Sequence, residues 1–243
     1  MKKCKIHECF PGTPYRLRPL ISDITMDLEQ IQTYLQSDNP QDRMKGITEL
    51  RHHEPEDVVP LLKQRMHDQE FMVRSFVAMG LGYKRTTEGF EALLDILEYE
   101  TDPNVIAEAS NSLARFGNIS VPHLQAVFRE HPHWLVRQSI FAAFEDIDDP
   151  ATLWEFCQLG LDDKELVVRF AAIANLSQLI GTDQERKAFD LLQQIIGSDD
   201  SKLRSRATRV LARFETPEAQ ELLQSLRQDE DHRVVAAALE NLI

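Results

Sequence analysis

An arginine returns along this chain at nearly constant intervals, and that repeat constrains the fold more than any other feature of the sequence. Steps of 29 to 35 residues separate the successive marker positions, and an isoleucine takes the third place. The markers are Arg43, Arg74, Ile106, Arg137, Arg169, Arg204 and Arg233. Such a period is typical of a solenoid, because each supersecondary unit must stack on the next to bury its apolar face.

A second signature lies seven residues after each marker, where a large apolar residue recurs. The residues at this place are Leu50, Leu81, Leu113, Phe144, Leu176 and Leu211, and in the last unit Glu240 breaks the pattern. An apolar position that keeps the same offset in stacked units belongs to the shared core. The sequence therefore predicts that Leu81 and Leu176 are buried between neighbouring helices.

Each unit has the pattern of an outer helix, a turn and an inner helix. Outer helices are predicted near residues 87–100, 119–129, 150–160, 184–196 and 216–227, and inner helices near 104–116, 133–146, 164–180, 201–213 and 230–242. The first pair is predicted at 27–36 and 40–51. In the second unit, the outer helix opens at Asp57 with Pro60 in its first turn, and the inner helix ends near Gly80 and Gly82. The predicted fold is all-α, a right-handed α-solenoid of about seven helix pairs over residues 26–243.

Residues 1–25 do not follow the repeat. They contain the helix-breaking stretch Pro11-Gly12-Thr13-Pro14 and carry a net charge of +3. Met26 falls where the first periodic helix begins, so two alternatives stay open. Residues 1–25 are either a non-repeat extension, or an upstream misreading of a protein that starts at Met26.

Aspartates in the turns precede several markers by five or six residues: Asp38, Asp68, Asp163 and Asp199. An aspartate there can cap the inner helix through backbone N–H groups, or can pair with the arginine of a neighbouring unit. We interpret these arginines and aspartates as a structural ladder along the stack, not as a catalytic row.

Charge and cysteine content limit the functional classes. The chain has a net charge of −13, and an acidic body repels phosphate backbones, so no nucleic-acid partner is predicted. No apolar run reaches the length of about 20 residues that a membrane helix needs. Three cysteines give no disulfide framework, and the N-terminus lacks a secretory apolar stretch, so we expect a cytoplasmic protein without membrane insertion.

Clusters of potential metal ligands are few. Cys4, His7 and Cys9 have zinc-like spacing but lack a fourth ligand nearby. His123, His131 and His133 crowd the junction of the third and fourth units, where surface histidines are common. No phosphate-binding loop or nucleophile elbow occurs. The sequence predicts no metal site, no catalytic residues and no cofactor.

The inner-helix face offers a better candidate site. If a marker and the positions three and seven residues later face the core, then offsets of two, five and nine residues share another face, which should line the concave surface. Those offsets give an apolar group in the second unit, a polar group in the third and a basic group in the sixth. We predict partner or ligand binding by Phe76, Met79, Tyr83, Asn111, Arg115, Arg206, Arg209 and Arg213. Between them, small residues such as Ala142 and Ala174 should leave an open groove.

The segment from Asp68 through Val73-Arg74 to Leu81-Gly82 resembles the HEAT repeat. The Val-Arg opening, repeated at Val136-Arg137 and Val168-Arg169, is similar to the HEAT subfamily of phycobilin lyases and related cyanobacterial proteins. The resemblance covers about residues 27–243 and implies a solenoid. It also implies a role in attaching or detaching bilins, in phycobilisome turnover, or as an adaptor in cofactor assembly.

The di-iron deoxyhypusine hydroxylases are a second HEAT family, and their pattern requires several His-Glu dipeptides at matching positions. Here His7-Glu8 and His53-Glu54 do not repeat with the period, so this alternative is disfavoured. Two hypotheses remain. The first is a non-catalytic scaffold that binds a protein, such as a phycobiliprotein, a second HEAT subunit or a cofactor-assembly protein. The alternative is a phycobilin lyase or bilin-detaching factor, with a bilin as the ligand.

Overall fold

The protein's structure, a computed structural model, describes residues 26–240, and the segment 1–25 lies outside that range. Within it the chain forms fourteen α-helices and no β-strand. The outer helices are α1 (Leu28–Leu35), α3 (Pro55–Lys63), α5 (Thr87–Tyr99), α7 (Val121–Glu130), α9 (Pro150–Leu161), α11 (Glu185–Ile196) and α13 (Pro217–Leu226). The inner helices are α2 (Pro40–Glu49), α4 (Phe71–Lys84), α6 (Pro103–Ala114), α8 (Trp134–Ala143), α10 (Leu166–Asn175), α12 (Ser201–Leu211) and α14 (His232–Leu239).

The helices stack as a solenoid. Every inner helix packs on the inner helices of the units before and after it, and every outer helix packs on the inner helix of its own unit. One continuous cluster of buried apolar side chains runs from Ile31 to Ala238. The all-α solenoid of seven helix pairs predicted from the arginine repeat is therefore confirmed.

The apolar position seven residues after each marker forms the centre of this core. Leu81, Leu113, Leu176 and Leu211 are 0% exposed, and Leu50 and Phe144 are 1% exposed. The predicted burial of Leu81 and Leu176 is confirmed. Glu240, at the same place in the last unit, is exposed.

The marker arginines clamp successive turns together. Arg43 donates to the backbone carbonyls of Ser37 and Asp38 in its own turn, and its Nη2 lies 2.8 Å from Oδ1 of Asp68 in the next turn. Arg137 forms the equivalent ion pair with Asp163. These carboxylates are nearly inaccessible to solvent. The predicted ladder exists. Asp68 and Asp163 precede the next marker by six residues, and Asp229, the partner of Arg204, precedes Arg233 by four.

Two of the four predicted aspartates are not ladder acids. Asp38 and Asp199 lie five residues before their markers, and each presents its backbone carbonyl to the arginine of its own unit. The residues that cap α2 and α12 are instead Asn39 and Asp200. Asp38 belongs to the first unit and has no preceding marker arginine, and the place six residues before Arg204 is occupied by Ser198 instead of an acid.

Glu100 is a ladder acid that the search for aspartates missed. It accepts hydrogen bonds from Arg74, with Nε at 2.6 Å from Oε2 and Nη2 at 3.1 Å from Oε1. Burial acts to raise the pKa of Glu100, but hydrogen bonds from Arg74 and from the N–H groups of Asp102 and Thr101 outweigh burial and hold its pKa below the ordinary value. This pair therefore contributes stability at neutral pH that is lost as the pH falls through the lowered pKa of Glu100.

The ladder has a gap at the fifth unit. Arg169 has a buried Nε that makes no hydrogen bond with any residue in 26–240, and Ser198, at the ladder place in the next turn, has a buried Oγ that is likewise unpartnered there. A buried donor without an acceptor lowers stability. A serine stands where the other ladder steps have an acid.

We expect S198D to raise the free energy of unfolding by about 1 kcal/mol, because the introduced carboxylate completes the clamp on Arg169. Urea denaturation measures this change. S225D, at an exposed serine of α13, is the matched control for an added negative charge. In an R169Q background the gain should vanish. An S198D protein no more stable than S225D would show that Arg169 and Ser198 do not form a ladder step.

Several predicted helix ends were wrong. The helices predicted at 133–146 and 164–180 end earlier and continue as 3₁₀ turns at Phe144–Asp146 and Leu176–Leu179. The inner helix of the second unit runs through Gly82 to Lys84. Gly82 does not end that helix but permits close packing on α6, since a Cβ there would lie 2.4 Å from the Ser112 Cβ. The outer helix α3 begins two residues before Asp57, so Pro60 lies inside it.

Candidate functional site

The end of α2, the turn after it, α3 and the C-terminal half of α4 enclose an apolar depression. Its volume is about 240 Å³, and its walls include Ile47, Leu50, Phe76, Met79 and Tyr83. Phe76 is half-buried, whereas Met79 is 38% exposed and Tyr83 is 63% exposed. We name Phe76, Met79 and Tyr83 the apolar pad. Met79 and Tyr83 expose large apolar surfaces to solvent, and the stacking of the helices does not require this exposure.

A polar depression of about 580 Å³ follows along α6 and α8. Asn111 and Arg115 line it together with Arg85, Ala142 and Asp146. Arg85 ends α4 in the left-handed region, with φ of 53°, a conformation that disfavours side chains other than glycine and asparagine. The offset pattern did not include Arg85, because it lies eleven residues after Arg74 and the largest offset is nine.

A carboxyl group borders this polar region. Glu108, one turn before Asn111 on α6, is half-buried, and its Oε1 accepts a weak hydrogen bond of 3.4 Å from Ser112. Burial raises the pKa of Glu108, which the Ser112 hydrogen bond and the Arg115 charge only partly oppose. The middle of the groove thus presents arginines and carboxyl groups side by side.

The third depression has a volume of about 480 Å³ and lies between α10 and α12. Arg206, Arg209 and Arg213 line it, opposite Ser177 and Glu145. We name these three arginines the basic stripe. Their spacing of three and four residues places them on one side of α12 and the turn after it. Positive charges near the C-terminal end of a helix also interact favourably with the helix dipole. Arg213 donates to Ser177 Oγ at 3.1 Å.

The three depressions follow one another along the inner helices, and we name them together the groove. Lys84 lines the apolar depression and Arg85 the polar one, while Asp146 lines the polar depression and Glu145 the basic one. The groove therefore crosses the inner helices from α2 to α12. At packing distances of about 8–10 Å between helices, this is roughly 40–50 Å. All eight residues predicted from the sequence line it, and their role in binding stays a prediction.

The other candidate residues do not converge. His123 stacks edge-on against Phe90, and His133 caps α8 through Nδ1. Within residues 26–240 no group of three or more His, Cys, Asp or Glu side chains is arranged to hold a metal ion. Cys157 is 0% exposed, and burial raises the pKa of its thiol. Cys4, His7 and Cys9 lie outside the described residues.

None of the helices between residues 26 and 240 combines the length and the apolar character that a bilayer-crossing segment requires.

Comparisons with known proteins agree with the architecture. The family model for HEAT repeats matches residues 90–177 and 176–243, more than half of the chain. The chain is structurally similar to YibA of Escherichia coli, with a TM-score of 0.59, 17% identity, and coverage of 87% of this chain and 80% of YibA. It is also similar to a chain in the structure of the complex of CpcE and CpcF of phycocyanin lyase from Nostoc, with a TM-score of 0.51, 19% identity, and coverage of 97% of this chain and 92% of that chain. Human deoxyhypusine hydroxylase gives a TM-score of 0.41 at 16% identity, with coverage of 88% and 94%. No curated protein sequence matches significantly.

Proposed function

Because the chain belongs to the HEAT-repeat family, we propose that it is a non-catalytic scaffold that binds a protein partner along the inner-helix groove. The observation that carries this proposal is the pairing of the apolar pad at one end of the groove with the basic stripe at the other, on a chain of net charge −13. The setting we propose is the assembly or turnover of a cofactor- or pigment-protein in the cytoplasm.

The chemistry of the groove defines the partner. The exposed faces of Met79 and Tyr83 favour an apolar side chain, and the basic stripe favours carboxylates. An amphipathic helix with an acidic end offers both, and a length of roughly 40–50 Å corresponds to about 30 helical residues.

The middle of the groove has room for a bound segment. Between the pad and the stripe, the face carries small side chains such as Ser139, Ala142, Ala171 and Ala174. Small side chains let a partner approach the backbone closely, and Arg115 and Asp146 beside them can make polar contacts with it.

A bilin-handling role is the second candidate, as a phycobilin lyase or a bilin-detaching factor. The similarity to the CpcE–CpcF complex supports it, as does a groove that suits a ligand with both apolar and carboxylate parts. In that complex two different chains associate, so a second HEAT subunit is one candidate partner. A shift in the absorbance spectrum of a free bilin on mixing with the protein would favour this role over the scaffold.

The experiment that tests the scaffold is a change of the apolar pad. We expect the double variant M79Q/Y83Q to weaken binding of the captured and purified partner about tenfold or more, because apolar area is no longer buried on binding. Its salt dependence should stay that of the wild type. Phe76 is left unchanged, since it is half-buried and its replacement would disturb packing.

M72Q is the matched control for this variant. Met72 is 40% exposed at the other end of the same helix and does not line the groove. Isothermal titration calorimetry gives the affinities. Equal affinity of M79Q/Y83Q and M72Q for the partner would place the binding surface elsewhere.

A further inference from the structure

One arginine of the basic stripe already holds a carboxylate of this chain. Arg209 donates hydrogen bonds to both carboxylate oxygens of Glu240, with Nε at 3.0 Å from Oε2 and Nη2 at 3.1 Å from Oε1. This two-pronged arrangement is the one in which a guanidinium recognises a carboxylate most specifically. Arg209 is therefore positioned to bind an acidic side chain.

Glu240 is also the one residue that breaks the core pattern of the repeat. In the six preceding units, the residue seven places after the marker is at most 1% exposed. Glu240 occupies this place in the last unit, but its side chain is 51% exposed and turned to Arg209. A carboxylate without a buried partner is excluded from an apolar core. At this position of the repeat, the other units have a buried apolar side chain, whereas the last unit has an exposed carboxylate that pairs with Arg209.

The other two arginines of the stripe are not held by acids of residues 26–240. The Arg206 Nε is buried and makes no hydrogen bond there, and Arg213 bonds only the neutral Ser177. Glu145 lies on the opposite side of the depression, is exposed, and forms no ion pair with the stripe. Three guanidinium groups thus face one depression, and Glu240 neutralises only one of them.

We propose that the depression at the basic stripe is a carboxylate-binding site for an acidic peptide segment, and that Glu240 is its intramolecular competitor. This inference rests on the proposed function, because the acidic segment is the charged end of the partner. An incoming carboxylate must displace Glu240 to reach Arg209. The ion pair between Arg209 and Glu240 therefore lowers the affinity of the site for an acidic segment.

The test compares E240Q with the wild type in binding a short, dye-labelled oligoglutamate peptide, followed by fluorescence anisotropy at low salt. We expect E240Q to bind the peptide about 2–5-fold more tightly, the range that corresponds to loss of one exposed ion pair. Glu240 is exposed, so the variant should fold normally, and circular dichroism checks this. Oligolysine should bind to neither protein at this site.

E145Q is the matched control. Glu145 lines the same depression but pairs with no arginine, so its neutralisation changes the local field without freeing Arg209. We expect a smaller gain in affinity for E145Q than for E240Q. Equal gains would mean that general charge repulsion acts and that Glu240 is no competitor.

The remaining outcomes separate this inference from the proposed function. Oligoglutamate binding that is lost in R206E/R209E/R213E but unchanged in E240Q would show that Glu240 does not compete for the site. The scaffold proposal would still stand. If neither the wild type nor E240Q binds oligoglutamate, the carboxylate site is disproved. Partner binding through the apolar pad is then judged separately by M79Q/Y83Q.

Discussion

Leu81→Ala and Leu176→Ala should each lower the free energy of unfolding by about 2–5 kcal/mol. Both side chains are 0% exposed and stand at the same place of the repeat, where the inner helix meets its outer helix and its neighbours. Truncation removes apolar contacts and leaves a cavity that the stacked helices can only partly close. Urea denaturation monitored by circular dichroism measures the change.

The control for these variants is Leu159→Ala. Leu159 lies on α9 with 40% of its surface exposed, so its truncation should cost well under 1 kcal/mol. Hydrogen exchange should show that Leu81→Ala loosens the units near α4 more than those near α12, because each unit contacts only its neighbours. Leu81→Ala and Leu159→Ala proteins of equal stability would contradict the conclusion that Leu81 is a core residue.

The sequence predicted the stack because its strongest constraints recur with the period. Arg43, Arg74 and Arg204 each reach turn carbonyls of their own unit and an acid of the next, and the apolar residue seven places after a marker fills the same core place in six units. Both demands fix a residue type at a fixed offset. The same offsets predicted that the apolar pad and the basic stripe share one face, and each of them lines a depression along the inner helices.

Features that depend on contacts between units could not be predicted in this way. Gly82 reads as a helix end in the local sequence, but the helix continues and the glycine faces Ser112 of the next unit. Arg85 enters the groove because that helix is longer than expected. The pairing of Glu240 with Arg209 joins two helices, and nothing in the local sequence around either residue specifies it.

The second large effect is expected for the basic stripe. Reversal of its charges in R206E/R209E/R213E should weaken partner binding about tenfold or more, because each change removes an attraction and adds a repulsion. Arg206 is only partly exposed, so R209E/R213E, at two exposed positions, is the variant with the least risk to folding. The matched control is R129E/R186E, which makes the same charge change on the outer helices α7 and α11.

The salt dependence of partner affinity tests the two-patch groove most directly. It is measured by titration calorimetry for the wild type, R209E/R213E and R129E/R186E over a range of ionic strengths. The account predicts that affinity falls with salt for the wild type and for R129E/R186E, and that R209E/R213E binds more weakly with a much smaller salt dependence, since exposed charges are screened within about 8 Å at physiological salt. A folded R209E/R213E protein with wild-type affinity and wild-type salt dependence would contradict it.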